Sequence, residues 1–126
     1  MIRCVALATA LFACTLPAAA QAPRNFPATA LRGEIVVTQP PELLLNGQPA
    51  RLAPGARIRA QNNLLQVSGA LVNQRLAVNY TLDLYGLLLD VWVLTPQELA
   101  RRPWPTTPAQ AATWRFDAAA QTWSRP

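Results

Sequence analysis

The stretch Leu43-Leu44-Leu45-Asn46-Gly47-Gln48-Pro49-Ala50-Arg51-Leu52 contains the clearest local signal of the chain. Asn46 and Gly47 separate two short apolar runs, and both residue types tolerate the positive φ angles that a two-residue type I′ turn requires. The stretch therefore predicts a β-hairpin. Pro49 has no amide donor, so we expect its nitrogen to face away from the partner strand, which places this strand at least partly at an edge.

Short apolar runs punctuated by turn residues continue on both sides of this hairpin. Their spacing and their content of β-branched residues favour strands over helices. A four-residue loop at residues 83–86 would set Tyr80 opposite Leu89 and Val78 opposite Val91. The predicted strands cover residues 34–38, 42–45, 50–52, 56–60, 64–67, 75–82 and 87–94.

Two segments in the C-terminal third begin with the same helix-start pattern, Thr95-Pro96-Gln97-Glu98 and Thr107-Pro108-Ala109-Gln110. In such a capping box the threonine side chain accepts an amide bond from the first turn, and the Glu or Gln side chain reaches back to the cap. Proline at the first helical position presets φ. The pattern predicts two brief helices, and residues 115–117 and 121–124 after them predict a last small hairpin.

About six strands followed by two short helices predict a mainly β domain. We expect a small antiparallel barrel or sandwich, OB-like or SH3-like, with two short C-terminal helices and a Trp-rich cap. This single domain should span residues 33–126. Residues 21–32 contain two prolines and no clear periodicity, so they predict an extended leader from which Phe26 could dock on the core.

The first 20 residues have the organisation of a secretory signal. Arg3 precedes an uncharged, mostly apolar run at residues 4–16, which is too short to anchor the chain across a bilayer. A buried helix would need a polar face, which this run lacks. Small side chains at residues 18–20 suit a signal peptidase, so we expect cleavage between Ala20 and Gln21 and a periplasmic or secreted mature protein.

Both cysteines, Cys4 and Cys14, lie within the predicted signal. Cleavage before Gln21 would remove them, so packing without a disulfide would have to stabilise the domain. The alternative is a lipoprotein signal, in which Cys14 receives the lipid because it follows a small residue. The same domain would then be tethered to a membrane by acyl chains.

The composition excludes several kinds of chemistry. The chain contains no histidine, and all 11 basic residues are arginine. Without the two signal cysteines, the mature chain would lack the usual general bases, thiol nucleophiles, Schiff-base lysines and soft metal ligands. We therefore expect no enzyme, no cofactor and no metal site. The net charge of +5 indicates solubility or weak attraction to anionic surfaces rather than nucleic-acid binding, and no transmembrane helix is expected in the mature chain.

Carboxylates are the remaining route to catalysis. The six acidic residues are scattered, and Glu34 and Asp90 are the acids placed within predicted strands. A pair of carboxyls about 5 to 10 Å apart could hydrolyse a glycosidic bond. A carboxylate-dependent hydrolase of cell-wall glycan is therefore the alternative function. Binding of a small apolar ligand inside the barrel is a third hypothesis, and it requires an internal cavity.

Tryptophan and arginine are neighbours in the C-terminal part of the chain. Indole buries a large area at little entropic cost, and guanidinium stacks on it and binds anions bidentately, which is typical of interface anchors. This pattern predicts a non-catalytic binding domain for an envelope protein or an anionic envelope polymer. Alternatively, the rings seal the end of the barrel and the arginines cover them. The candidate binding residues are Arg101, Arg102, Trp104, Trp114, Arg115 and Trp123.

Four segments carry a resemblance to a group of proteins. They are Leu31-Arg32-Gly33-Glu34-Ile35-Val36-Val37, Leu45-Asn46-Gly47-Gln48, Pro54-Gly55-Ala56-Arg57-Ile58 and Trp123-Ser124-Arg125-Pro126. With these segments the chain resembles small hypothetical exported proteins of proteobacteria. The resemblance covers most of the predicted mature chain, and it implies neither an activity nor site residues.

Overall fold

The chain forms a mainly β fold with two short helices, as the sequence predicts. The computed structural model describes residues 23–126, and the predicted signal with its cleavage site lies outside them. The strands are β1 (Leu31–Gln39), β2 (Glu42–Leu45), β3 (Gln48–Arg59), β4 (Leu65–Gln66), β5 (Arg75–Leu82), β6 (Leu88–Val93), β7 (Arg115–Asp117) and β8 (Thr122–Ser124). The helices are α1 (Pro96–Leu99) and α2 (Pro108–Thr113), and a 3₁₀ turn covers Ser68–Leu71. Among residues 23–126, no helix has the length and apolar character that crossing a membrane requires.

Five strands follow one another around a barrel. β1 pairs with β2 and β5, β2 pairs with β3, and β5 pairs with β6. β6 pairs with β3 in parallel, but this ladder is interrupted between Leu52 and Arg57, so the barrel is not fully closed. The short β4 adds to β3 outside this series. A partly open barrel with one parallel pair corresponds to the OB-like alternative rather than to the SH3-like one.

The predicted hairpin at Asn46 and Gly47 is confirmed. Their φ angles are 52° and 80°, and Leu45 pairs with Gln48 across the turn. The strand after the turn is longer than expected, because the separate runs at 50–52 and 56–60 belong to one strand, β3. Pro54 and Gly55 stand where the ladder to β6 is interrupted, so the missing amide donor of the proline costs no ladder bond there.

The predicted register of β5 and β6 is wrong by two residues. Tyr80 pairs with Val91 instead of Leu89, and Val78 pairs with Val93. A shift of two residues leaves each side chain on its original face of the strand. Val78, Tyr80 and Val91 are therefore buried, in agreement with the predicted apolar face. Next to the turn the shift is a single residue, because Leu82 pairs with Leu88, and there the faces are exchanged: Leu88 is buried and Leu89 is 36 % exposed.

Two local features, each adding one residue, explain the shift. The turn contains five residues instead of four, because Leu82 pairs with Leu88. The Asp83 side chain stabilises this wider turn by accepting bonds from the Tyr85 and Leu87 amides, at 2.8 and 2.9 Å. A bulge in β6 next to this pair supplies the second residue. Apolar alternation alone indicates neither the wider turn nor the bulge.

The two predicted capping boxes differ in the structure. Thr95 accepts a bond from the Glu98 amide, and the Glu98 side chain accepts one from the Thr95 amide, so the box at α1 is complete. At α2, Thr107 accepts from the Gln110 amide. The Gln110 side chain, however, accepts from the amide of Thr106. The second helix is present as predicted, without the reciprocal bond.

Apolar side chains form two cores. The first fills the barrel and consists of Leu31, Ile35, Val37, Leu43, Leu52, Ile58, Leu71, Val78, Tyr80, Leu88 and Val91. The second consists of Phe26, Ala30, Leu94, Trp104 and Trp123. Phe26, from the predicted leader, is 3 % exposed and meets the rings of Trp92 and Trp104 edge to face at 5.5 and 5.9 Å. The segment before β1 is therefore packed against the domain.

Candidate functional site

Two of the candidate tryptophans belong to the second core. Trp104 and Trp123 are each 5 % exposed, and their ring centres lie 6.1 Å apart. The Trp104 indole N–H donates to the Ala30 carbonyl at 2.9 Å, and Phe116 stacks on Trp123 at 4.7 Å. These contacts leave little of either ring for a ligand. This is the placement that the core-sealing alternative describes.

A cleft of about 760 Å³ opens beside these rings. Three of its lining residues are arginines, Arg32, Arg102 and Arg125, and no carboxylate lines it. All six acidic residues of the chain lie in the part that the structure describes. The ion pairs found there involve four other arginines, Arg24, Arg51, Arg59 and Arg75. The cleft, which we call the arginine cleft, therefore holds cationic groups without a carboxylate partner.

Arg32 lies on β1 and holds the loop that follows α1. Its guanidinium donates to the carbonyls of Glu98, Leu99 and Arg101, at 3.1, 3.2 and 2.6 Å. The last carbonyls of a helix lack partners within the helix, so a cation at this position stabilises them. The same guanidinium stands 5.1 Å from the centre of the Trp104 ring. These contacts fix Arg32 in the wall of the cleft.

The local electrostatics favour an anion in the cleft. Burial, followed by the charges of Arg102 and Arg101, lowers the pKa of the Arg32 guanidinium to about 10, while the Glu98 charge acts in the opposite direction. Burial and like charges both disfavour the cationic form, and an incoming anion would offset them. The arginine cleft is therefore a region of positive potential.

The other candidate residues are not part of this cleft lining. Arg101 donates to the Arg24 carbonyl at 2.6 Å and is half-buried. Trp114 is half-buried, with the Arg125 guanidinium 5.3 Å from its ring centre. Arg115 is exposed and pairs with Ser124 across the β7–β8 hairpin, which confirms that predicted hairpin. The structure thus brings together three of the six candidates, Arg102, Trp104 and Trp123.

The candidate set omitted five residues of the cleft lining, the polar Arg32, Ser124 and Arg125 and the apolar Leu99 and Pro103. Ser124 and Arg125 follow Trp123 directly and belong to the same Trp–Arg pattern, although Arg125 is not among the candidate binding residues. Arg32 is 69 residues away from the Arg101 carbonyl to which it donates. Only the pairing of β1 within the barrel brings it to the cleft, so sequence spacing offers no signal for it.

The two strand carboxylates considered for hydrolysis lie apart. Glu34 pairs with Ala77 of β5, whereas Asp90 contacts Thr81, four residues further along the same strand. At about 3.3 Å per residue, this corresponds to roughly 13 Å along β5. Each carboxylate forms an ion pair with an arginine, and neither lines the arginine cleft. Within residues 23–126, no group of three or more acidic side chains could hold a metal ion.

The arginine cleft is the feature of this molecule with the most distinctive chemistry. No protein-family model, curated protein or solved structure matches the chain. The function must therefore be argued from the residues and geometry of the cleft.

Proposed function

We propose that this protein is an exported, non-catalytic binding domain whose arginine cleft holds the anionic groups of an envelope polymer. The observation that carries the proposal is the set of Arg32, Arg102 and Arg125 around one cleft whose lining contains no carboxylate. The exposed guanidinium groups of Arg102 and Arg125 can bind phosphate or carboxylate with two parallel hydrogen bonds. Arg32, which already donates to three carbonyls, contributes positive charge. The absence of histidine and lysine from the sequence supports binding rather than catalysis.

The surface suits a charged polymer better than a protein partner. Protein interfaces depend on aromatic anchors that a partner can cover, yet Trp104 and Trp123 are already buried in the second core. What the cleft offers to a ligand is mainly positive charge, from Arg102 and Arg125, which are exposed at its rim. A flexible polyanion can meet such charges without large apolar contact.

Dextran sulfate is a suitable probe, with neutral dextran as the reference polymer. We expect wild-type protein to bind dextran sulfate and to ignore neutral dextran. The double substitution Arg102→Gln and Arg125→Gln should weaken binding by about tenfold or more, because each charge-assisted contact contributes about 1 kcal/mol. Biolayer interferometry at low ionic strength would measure the dissociation constants.

The matched control is the double substitution Arg51→Gln and Arg57→Gln, which removes the same charge from exposed positions outside the cleft. We expect it to change the affinity by less than about twofold, since remote surface charges are screened by salt. Equal losses in the two double variants would show that binding follows net charge, and would contradict the assignment to the cleft. Thermal unfolding should confirm that both variants remain folded.

A further inference from the structure

The segment 60–74, which includes β4, contains no charged residue and exposes three apolar side chains. Leu64, Leu65 and Val67 are 66 %, 66 % and 74 % exposed. Apolar side chains that are exposed together, without charged residues between them, are typical of contact sites for a protein or a membrane. What covers this segment has to be inferred from its surroundings in the fold.

The N-terminal part of the chain joins the domain beside this segment. The Arg24 guanidinium donates to the Ala60 carbonyl at 2.9 Å and reaches the Asn63 side-chain oxygen at 3.5 Å. The Arg24 amide donates to the Glu98 carboxylate at 2.9 Å, so the main chain is held at this point as well. Residue 23, where the described part of the chain begins, therefore lies close to segment 60–74.

The sequence before this point is directed to a membrane. The apolar run at residues 4–16 is the part of the predicted signal that enters a lipid bilayer, and acylation of Cys14 would attach the chain to the same bilayer. Seven residues, 17–23, separate the run from Arg24, and they span at most about 25 Å when extended. A membrane that holds the run is therefore nearest to the side of the domain that carries segment 60–74.

The charges around the segment suit an anionic lipid surface. Arg59 directly precedes the segment, Arg75 directly follows it, and residues 43–82 include no acidic residue. Both arginines form partly exposed ion pairs with acids of other strands, and such pairs are weak enough for lipid phosphates to compete. Arg57, two residues before Arg59, is exposed as well. The uncharged apolar segment thus has cationic groups on both sides.

We propose that segment 60–74 rests on an anionic phospholipid bilayer, with Leu64, Leu65 and Val67 in the interface and the flanking arginines at the headgroups. A single acyl chain holds a protein at a membrane only marginally, and a second contact makes the attachment stable. The segment supplies that second contact and turns this end of the barrel towards the membrane. Cleavage before Gln21 removes the first anchor and leaves a weak contact. The arginine cleft shares no lining residue with this surface.

An environment-sensitive fluorophore tests this contact on the intact chain, made by cell-free synthesis without membranes so that residues 1–22 stay attached. The protein carries Cys4→Ser and Cys14→Ser, and a new cysteine from Leu65→Cys is labelled with NBD. On addition of phosphatidylglycerol vesicles, we expect the NBD emission to increase and to shift to shorter wavelengths, because the label leaves water. Vesicles of phosphatidylcholine alone should give a smaller response, since they lack the negative surface potential that attracts arginine.

Leu84→Cys, labelled in the same way, is the matched control. Leu84 is 99 % exposed on the β5–β6 turn, next to the start of β6, whereas Arg59 pairs with Trp92 near the other end of that strand. The Leu84 label should stay in water when vesicles are added. A Leu65 label that also stays in water overturns the proposal and leaves a protein as the partner of this surface. Equal responses of the two labels overturn it too.

Two further variants of the Leu65-labelled protein separate this surface from the arginine cleft. Val67→Lys should reduce the response by about half or more, because a lysine charge resists removal from water. The double substitution Arg102→Gln and Arg125→Gln should leave the response unchanged. An unchanged response in Val67→Lys, or a lost response in the double variant, would contradict the assignment to segment 60–74. Circular dichroism would confirm that each variant is folded.

Discussion

The buried carboxylate of Glu98 binds Arg24, and through this contact it connects helix α1 to the segment before β1. Glu98 is fully buried and accepts three bonds from Arg24, at 2.7 to 2.9 Å, and one from the Thr95 amide at 3.0 Å. Burial alone would raise the pKa of the Glu98 carboxyl. The hydrogen bonds from Arg24 and Thr95, together with the Arg24 charge, outweigh burial and lower this pKa from 4.5 to about 2. The residue predicted as a helix cap therefore also holds the segment before β1.

This low pKa predicts a stability that depends on pH. A carboxyl with a lower pKa in the folded state contributes fully above its unfolded pKa, and the contribution is lost as the pH falls towards the folded value. Between about pH 6 and about pH 2, the free energy of unfolding should drop by about 3 kcal/mol through this group. Urea unfolding at several pH values would measure the decrease.

The variant Glu98→Gln should flatten this pH dependence. It should also lower the free energy of unfolding near neutral pH by about 3 to 5 kcal/mol, because Arg24 would lose its charged partner in a largely buried position. The control Glu42→Gln removes a half-exposed carboxylate that pairs with Arg51, and should cost about 0 to 1 kcal/mol. An unchanged pH slope in Glu98→Gln would show that other carboxyls determine the acid response.

Among the elements, the two short helices allow a direct comparison of capping. Thr95→Ala should lower the free energy of unfolding by about 1 to 2 kcal/mol, because its complete box positions the buried Glu98. Thr107→Ala should cost about 0.5 to 1 kcal/mol, since α2 contains no buried residue and its box lacks the reciprocal bond. Chemical denaturation of both variants would test this order, and equal costs would contradict it.

The sequence predicted turns and helix starts correctly where a few adjacent residues determine them. The turn at Asn46 and Gly47 and the helix starts at Thr95 and Thr107 depend on a few adjacent residues, and all three are present. The β5–β6 register was not predictable, because a turn held by the Asp83 side chain and a bulge in β6 leave the apolar alternation unchanged. Beyond the bulge the error of two residues keeps Val78, Tyr80 and Val91 in the core, but next to the turn an error of one residue exchanges Leu88 and Leu89, so the core could be identified only in part.

The candidate site was predictable only in part, for a similar reason. Arg102 and Trp104 are close in sequence and meet at the cleft. Arg32 reaches it through strand pairing, which no local pattern encodes. Trp114 and Arg115 follow the same Trp–Arg pattern as the cleft residues, but the β7–β8 hairpin directs them elsewhere. The residue types therefore indicated the chemistry of the site, but strand pairing determined which of these residues line it.

For the molecule as a whole, the proposed export predicts the N-terminus of the mature protein. Cleavage before Gln21 would retain Arg24 and Phe26, both of which the domain uses for packing. Intact-mass spectrometry of the protein recovered from the cell envelope should therefore show a chain that starts at Gln21. An acylated Cys14 would instead show the membrane-tethered lipoprotein, and an intact Met1 would contradict export through a cleaved signal.

The contact between the first and last parts of the fold affects when the chain can fold. The Phe26 amide donates to the Gln121 side chain at 2.8 Å, and the Gln121 side chain donates back to the Phe26 carbonyl at 3.2 Å, across 95 positions of sequence. A chain that leaves the ribosome with its N-terminus first cannot form this contact until Gln121 has emerged. Contacts of such long range form slowly, because a large loop must first close. The second core, which Phe26 shares with Trp123, would thus be completed only after all the strands of the barrel have emerged.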